Sequence, residues 1–325
     1  MIKSLNLQNF RNYSKKSFEF GEKTTLIVGP NAAGKTNILE AIYALSTGKS
    51  FRAEKEIEVI KDGVEVARIE ANGLEILWDF RERFSKLYRI NGVGKRQVDF
   101  VGNLRCVLFC PQDIEIVSDS PSTRRRYLDS VLNLVYREYW VASRIYEKAL
   151  RQRNRLLWRI REERLAVSRQ QLDYWDNLLI SNGKIIHDRR REYLNFLDFD
   201  YDHSIISEER LKKYAVEEIA SATTLVGPQR DDFRVIQKGR NLKSFGSRGE
   251  QRLAIFAMKL KELEYVEKII GEKPTLLLDD IFSELDHQNR HKLLQIIPKQ
   301  QTIMTTTDLH LVEKAAIKHF ELINL

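Results

Sequence analysis

The stretch Gly29-Pro30-Asn31-Ala32-Ala33-Gly34-Lys35-Thr36 decides how this chain is read. Two glycines five residues apart, the second followed at once by lysine and threonine, form the pattern of a loop that wraps phosphates. The context fits. Thr24-Thr25-Leu26-Ile27-Val28 is a short apolar run, as a buried strand reads, and Ile38, Leu39, Ile42, Tyr43 and Leu45 follow at helical spacing. Gly29 and Gly34 are expected to take backbone angles that turn successive N–H groups inward. Lys35 would reach the β- and γ-phosphates, and Thr36 would set its hydroxyl on Mg²⁺.

Two further motifs follow in order some two hundred residues on. Leu276-Leu277-Leu278-Asp279-Asp280 reads as a buried strand delivering carboxylates at its end. Asp279 is the expected Mg²⁺ ligand. Asp280 stands where a general base could polarise water, or where it simply caps a loop. Ser247-Arg248-Gly249-Glu250-Gln251 opens a helical stretch. It has the shape of the signature that ATP-binding-cassette proteins present to a partner subunit's nucleotide, and equally that of ordinary helix capping. Ser283-Glu284-Leu285-Asp286 fits a loop linking two such sites. The ordered set predicts an ATPase completed only when two copies meet, with Asp280, Lys35 and Ser247 as its catalytic residues and ATP with Mg²⁺ as its ligands.

Composition sets the frame. The 325 residues carry 31% charged and 42% hydrophobic side chains and a net charge of +8, which describes a globular chain of about two domains. No apolar run approaches the roughly 18–20 residues of a membrane span. The first residues lack the apolar block of a signal peptide, so a cytoplasmic location and no membrane partner are expected. Cys106 and Cys110 read as buried free thiols.

Val64 to Ile90 alternates in short segments punctuated by Gly63, Asn72-Gly73 and Asn91-Gly92, which predicts an antiparallel sheet. Residues 121–221 differ in kind, being charged and nearly free of glycine and proline. Tyr127, Val131, Val135, Tyr139 and Tyr146 recur at helical intervals, and the stretch divides near residues 164–169. It reads as a helical arm inserted into a split head formed by 1–120 and 222–325. Within 124–164, eleven Arg and one Lys face five acidic residues, a net of +7. Arg151, Arg153 and Arg155 are candidate contacts to a DNA phosphate backbone, against the plainer alternative of a solvated helix face.

With these motifs in place the sequence resembles the RecF family of recombination-mediator ATPases over nearly its whole length. Asn9-Phe10-Arg11-Asn12-Tyr13 is similar to that family's N-terminal motif, Gly29 to Asn37 to its phosphate loop, and Ser50-Phe51-Arg52 to the segment that follows. Phe109-Cys110-Pro111-Gln112-Asp113, Arg124-Arg125, Leu128-Asp129, Gly227-Pro228-Gln229-Arg230-Asp231-Asp232 and Leu276 to Asp286 complete the match. Ala32 and Ala33 replace a glycine and a glutamine common in the family's loop, Gln112 stands where an acidic residue is usual, and Thr307 occupies the place of the transporters' γ-phosphate-sensing histidine.

The resemblance implies an α/β fold: an ABC-type, SMC-like P-loop ATPase head with an antiparallel β subdomain and an inserted helical arm domain. It implies that Arg11, Asn12, Asn31, Asn37, Gln112, Gly249, Gln251 and Thr307 join the loop residues around the nucleotide, Gln112 also near the metal. It further implies an ATP-dependent homodimer on double-stranded DNA or ssDNA–dsDNA junctions. That dimer would work with RecR- and RecO-like proteins to load RecA, and slow hydrolysis would reset it. An SMC-class chromosome or break-end ATPase, and a transporter's ATP-binding subunit, are the competing readings. The first lacks its long coil here and the second its histidine.

Overall fold

Alternating burial in one group of strands and continuous burial in another mark two main sheets, beside two smaller two-stranded pairs. The computed structural model describes residues 1–163, 169–312, 317 and 319–325. Along the chain, β1 (Ser4–Phe10) and β2 (Tyr13–Glu19) form a hairpin, β3 (Thr24–Val28) enters the phosphate loop and α1 (Lys35–Thr47) leaves it. Next come β4 (Val66–Ala71), β5 (Leu74–Asp79), β6 (Ser85–Ile90), β7 (Val93–Lys95), α2 (Gln97–Phe100) and β8 (Cys106–Phe109).

A helical region follows, with α3 (Glu115–Ser118), α4 (Pro121–Val135), α5 (Arg137–Glu163), α6 (Arg169–Leu197), β9 (Asp200–Asp202), α7 (Glu208–Lys213) and α8 (Ala215–Ser221). Then come β10 (Asp232–Arg234), β11 (Ile236–Gln237), β12 (Arg240–Asn241), α9 (Leu242–Phe245) and α10 (Arg248–Ile270). The chain ends with β13 (Thr275–Asp279), α11 (His287–Ile296), β14 (Thr302–Thr306) and β15 (Glu321–Asn324).

The antiparallel sheet has the order β2-β1-β4-β5-β6-β7. Asn72-Gly73 and Asn91-Gly92 turn β4 into β5 and β6 into β7, all four residues having φ between 50° and 77°. Two consecutive positive φ values match the twist of the flanking strands, which is why Asn-Gly serves. On β4 the buried residues are Ala67, Ile69 and Ala71, every second position.

The other sheet is parallel, in the order β15-β3-β14-β13-β8. Every residue of β13 and β14 is buried, as expected of inner parallel strands covered on both faces. Helix α1 packs against strands of both sheets. Its Ile38, Leu39, Ala41, Ile42, Ala44 and Leu45 share one core with Leu5, Leu7, Ile69, Ile76 and Trp78. Each fully buried Ile or Leu there contributes about 1.5–3 kcal/mol. Edge strand β15 carries no strong signal of its own, since Leu322 is exposed, and sequence reading missed it.

The chain divides into two units, Met1–Ile114 with Ile255–Leu325, and Glu115–Ala254. The second unit thus takes in residues 222–254, including Ser247 to Gln251, which the sequence reading assigned to the head. Buried charge explains the grouping. Asp231, fully buried, accepts from the Tyr201 hydroxyl at 2.5 Å, from the Ser204 N–H at 2.8 Å and from Arg190 at 3.0 Å. Arg124 holds Asp232 through two bonds of 2.6 and 3.0 Å. Helices α5 and α6 pack along each other within this unit. Apart from Arg169, the expected division of the arm near 164–169 lies outside the described residues.

Candidate functional site

Strand β3 ends at Val28 and α1 begins at Lys35, so the eight-residue motif bridges a strand end and a helix start. Gly34 has φ 102°, in the region that favours glycine. A Cβ there would also fall 2.7 Å from both the Asn12 amide nitrogen and the Tyr13 hydroxyl. Gly29 corrects the expectation, because it does not take a positive φ. A Cβ there would make a tight contact, 3.1 Å from the Leu325 Cβ. Ala32 does take the left-handed conformation, at φ 65°, a placement that costs a residue with a Cβ roughly 1–2 kcal/mol. Lys35 is buried, and its ammonium donates to the Gly29 and Pro30 carbonyls at 2.7 and 2.8 Å. Burial lowers its pKa, while Asp280 and Asp279 pull it back up.

The two carboxylates arrive from β13, two strands away from β3 in the sheet, with β14 between them. The Thr36 hydroxyl lies 2.8 Å from Asp279 Oδ1 and 3.0 Å from Oδ2. From β14, Thr305 donates to Asp279 Oδ1 at 2.9 Å and accepts from the Asp280 N–H at 3.0 Å. Burial raises the Asp279 pKa, and the Thr36 and Thr305 hydroxyls restrain the rise. Asp280 sits at φ 50° with Oδ1 buried and unpaired among the described residues. A strained carboxylate with a free buried oxygen beside a metal-ligand candidate is suited to hold a water. Thr305 was not singled out from sequence. The signal available was a threonine next to the end of a wholly buried run.

Around the loop runs a second ring of polar side chains. Asn12 donates to the Ala33 carbonyl at 3.3 Å and accepts from Asn37 at 2.8 Å, and Arg52 donates to Asn37 at 3.1 Å. Arg11, expected beside the nucleotide, is committed to Glu40. Two of its nitrogens meet that fully buried carboxylate at 2.9 and 2.5 Å, and its third donates to the Glu58 carbonyl. Ser50 also donates to Glu40. A buried carboxylate inside α1 requires such partners, and sequence reading missed it.

Gln112, Asn31 and Thr307 are exposed. The turn that carries Gln112 is anchored by its neighbour: Asp113 accepts from the Cys110 N–H at 2.9 Å and faces the buried Lys259 ammonium at 3.8 Å. Cys106 and Cys110 are buried free thiols, and burial pushes Cys106 up to about 12.

In the second unit, Ser247 and Glu250 form a reciprocal cap. The Ser247 N–H and hydroxyl donate to Glu250 at 2.8 and 3.0 Å, and the Glu250 N–H returns a bond of 3.3 Å. Gly249 is exposed beside them, whereas Gln251 is buried and donates to the Leu242 carbonyl at 2.9 Å. Arg153 overturns its assignment to a DNA face. It is 3% exposed and paired with Asp176, Glu218 and Thr224 at 2.5, 2.7 and 3.0 Å. Arg151 is exposed and paired with Glu147, and Arg155 is exposed.

Thr36 and Asp279 offer two converging hard oxygen donors. Among the described residues no group of three or more His, Cys, Asp or Glu could hold a metal. The remaining ligands would therefore be phosphate oxygens and water, a set that fits Mg²⁺.

The chain matches the RecF/RecN/SMC N terminal domain over residues 1–322. The DNA replication and repair protein RecF of Herpetosiphon aurantiacus is 37% identical to it, over 95% of this chain and 93% of its own length. That of Thermomicrobium roseum is 33% identical over 100% and 98%. This chain belongs to the RecF family.

The recombination mediator protein RecF solved with ATP, in the RecFOR pathway, superposes with a TM-score of 0.87 at 32% identity, over 96% of this chain and 93% of that one. An Smc head bound to the C-winged helix domain of ScpA shares the fold, with a TM-score of 0.51 at 16% identity over 99% and 93%. The fold is thus the ABC-type, SMC-like head with a helical arm that the resemblance implied. Among the described residues no helix is long and apolar enough to cross a membrane.

Within this RecF-family site, Thr305 holds Asp279, the expected metal ligand, through its hydroxyl. Thr305→Val keeps the shape and removes both hydrogen bonds, so Mg²⁺ affinity in the presence of nucleotide should fall by about 10–100-fold. Titrating Mg²⁺ against nucleotide binding checks this.

Proposed function

We propose that this chain is an ATP-driven switch of recombinational DNA repair. One observation carries the reading: Thr36 from the phosphate loop and Asp279 from the buried strand meet within 2.8 Å. Membership of the RecF family and the likeness to an ATP-bound relative of the RecFOR pathway support it. Loop N–H groups and Lys35 bind the phosphates. Thr36 and Asp279 would hold Mg²⁺, which would supply neutralisation of phosphate charge. Asp280 accepts a proton from the attacking water or orients it, and Thr305 fixes the backbone of that carboxylate. Gln112 and Thr307 complete the rim, and Asn12 and Asn37 brace the loop.

Ser247 and Gly249 of one copy meet the nucleotide of another, so ATP drives dimerisation. The dimer binds double-stranded DNA or its junction with a single-stranded gap. There it assists RecA loading with RecO and RecR, and slow, DNA-stimulated hydrolysis releases it. These steps place the protein in the cytoplasm.

Three measurements test this. In light scattering, ATP with Mg²⁺ should double the mass of the wild type. Lys35→Ala should lose nucleotide binding, whereas Ser247→Arg should bind nucleotide and stay monomeric. An unchanged wild-type mass refutes the switch.

Asp280→Asn should keep ATP binding and the dimer, with turnover reduced by ~10²-fold or more through loss of proton acceptance. Normal turnover in that variant removes Asp280 from the chemistry.

The arm's share of DNA binding now rests on Lys148, Arg151 and Arg155. They are exposed and spaced by three and four residues along α5, hence on one face. Each phosphate neutralised adds about 0.9 to the slope of log affinity against log salt. Changing Arg151 and Arg155 to Ala should lower that slope by up to roughly two units. An unchanged slope leaves the arm's charge as a solvated face.

A further inference from the structure

Tyr13 opens strand β2. Its ring packs edge-on against Phe18, with centroids 5.6 Å apart and planes at 80°. Its hydroxyl lies where a Cβ on Gly34 would be only 2.7 Å away, so it borders the loop's second glycine. That hydroxyl is buried, and among the described residues it makes no hydrogen bond. The nearby acceptors are already engaged. The Gly34 carbonyl accepts from the Asn37 and Ile38 N–H groups, and the Ala33 carbonyl accepts from Asn12. The Asn12 side-chain oxygen accepts from Asn37.

A buried, unpaired hydroxyl carries a desolvation cost that a phenylalanine of the same shape would not. The ligand-free fold therefore gains nothing from this oxygen, and its place against the loop indicates what it serves. We infer that the Tyr13 hydroxyl donates a hydrogen bond to a phosphate oxygen of the nucleotide held by residues 29–36. Tyr13 is thereby a further nucleotide-binding residue, one that the sequence motifs did not assign.

Two details support this. Burial pushes the phenol up to about 12, so it stays protonated and neutral at physiological pH and meets an anion as a donor. The Asn12 side chain, which borders Gly34 as the hydroxyl does, donates to the Ala33 carbonyl only at 3.3 Å. A phosphate chain entering the loop can displace that contact and reach the hydroxyl.

The inference rests on reading the loop as an ATP site, and Tyr13→Phe tests it with two readouts on the full chain. Nucleotide Kd is measured for ATP and ADP with Mg²⁺ by calorimetry, and Tm is measured without ligand. A hydrogen bond to a charged acceptor predicts a Kd raised roughly tenfold or more for ATP. The ligand-free Tm should be unchanged or higher, because the variant removes an unpaired polar group. Equal loss for ADP places the contact on the α- or β-phosphate, and loss for ATP alone places it on the γ-phosphate. An unchanged Kd overturns the inference, and so does a fall in Tm, which would make the hydroxyl structural. Lys35→Ala separates the levels. If the wild type binds, Lys35→Ala does not, and Tyr13→Phe matches the wild type, only the Tyr13 inference fails. If the wild type itself does not bind ATP, the site reading fails with it.

Discussion

The hydrogen bond from Thr36 to Asp279 joins residues 243 positions apart, and the site exists only because the fold closes that distance. Strands β3 and β13 do not pair. They are spaced by β14, which pairs in parallel with both. The register sets Thr305 opposite Asp279 and also opposite Ile27, so near its end the middle strand must carry a side chain that serves its neighbours. A small β-branched hydroxyl does this: it packs in a wholly buried strand and still offers one donor and one acceptor. A valine there would leave Asp279 with one hydroxyl donor instead of two, inside a medium that already disfavours its charge.

Charge inside the protein is as constraining as apolar packing. Glu40 in α1 is fully buried, and Arg11 and Ser50 meet it. In the second unit, Arg190 lies among Asp129, Asp231, Tyr139 and the Pro228 carbonyl, and Arg153 among Asp176, Glu218 and Thr224. Removing one partner from such a set leaves an uncompensated buried ion, at a cost of about 3–5 kcal/mol. These sets fix which segments belong together more tightly than apolar contacts do, because a guanidinium accepts only a few geometries. They also use up charge that composition alone would place on the surface. Arg124 and Arg153 belong to the basic run of 124–164, yet both are buried and paired. What remains for a polyanion is a narrower stripe than the net of +7 suggests.

The parts legible in the sequence were those with local causes. The β3–loop–α1 unit, the Asn-Gly turns, the continuous burial of β13 and β14 and the helical arm each follow from spacing within a few residues. Positions set by distant partners were not legible. Arg11 was expected near the nucleotide because of its motif, but a carboxylate 29 residues on holds it. Arg153 shares the exposed spacing of Arg151 and Arg155 in composition terms. Helical phase separates them, since position 153 turns inward between two outward neighbours. Gly29 shows the same limit at finer scale. Its motif suggests a positive φ, whereas the structure shows none there and only a tight approach to Leu325.

Ser247 shows how one residue satisfies two readings of its motif. As a cap, its hydroxyl donates to Glu250 and accepts from the Glu250 N–H, which alone justifies serine at a helix start. On the proposed reading the same hydroxyl turns to a phosphate carried by a second copy. That exchanges one charge-assisted hydrogen bond for another of similar strength, so the hydroxyl itself adds little to the free energy of association. The Glu250 carboxylate also stands beside the incoming phosphate and opposes it. Favourable energy must then come from elsewhere: the positive end of α10 and the exposed Arg248. On that reading the interface would close only with the phosphate present and reopen once it had gone, which is the behaviour the proposed switch requires.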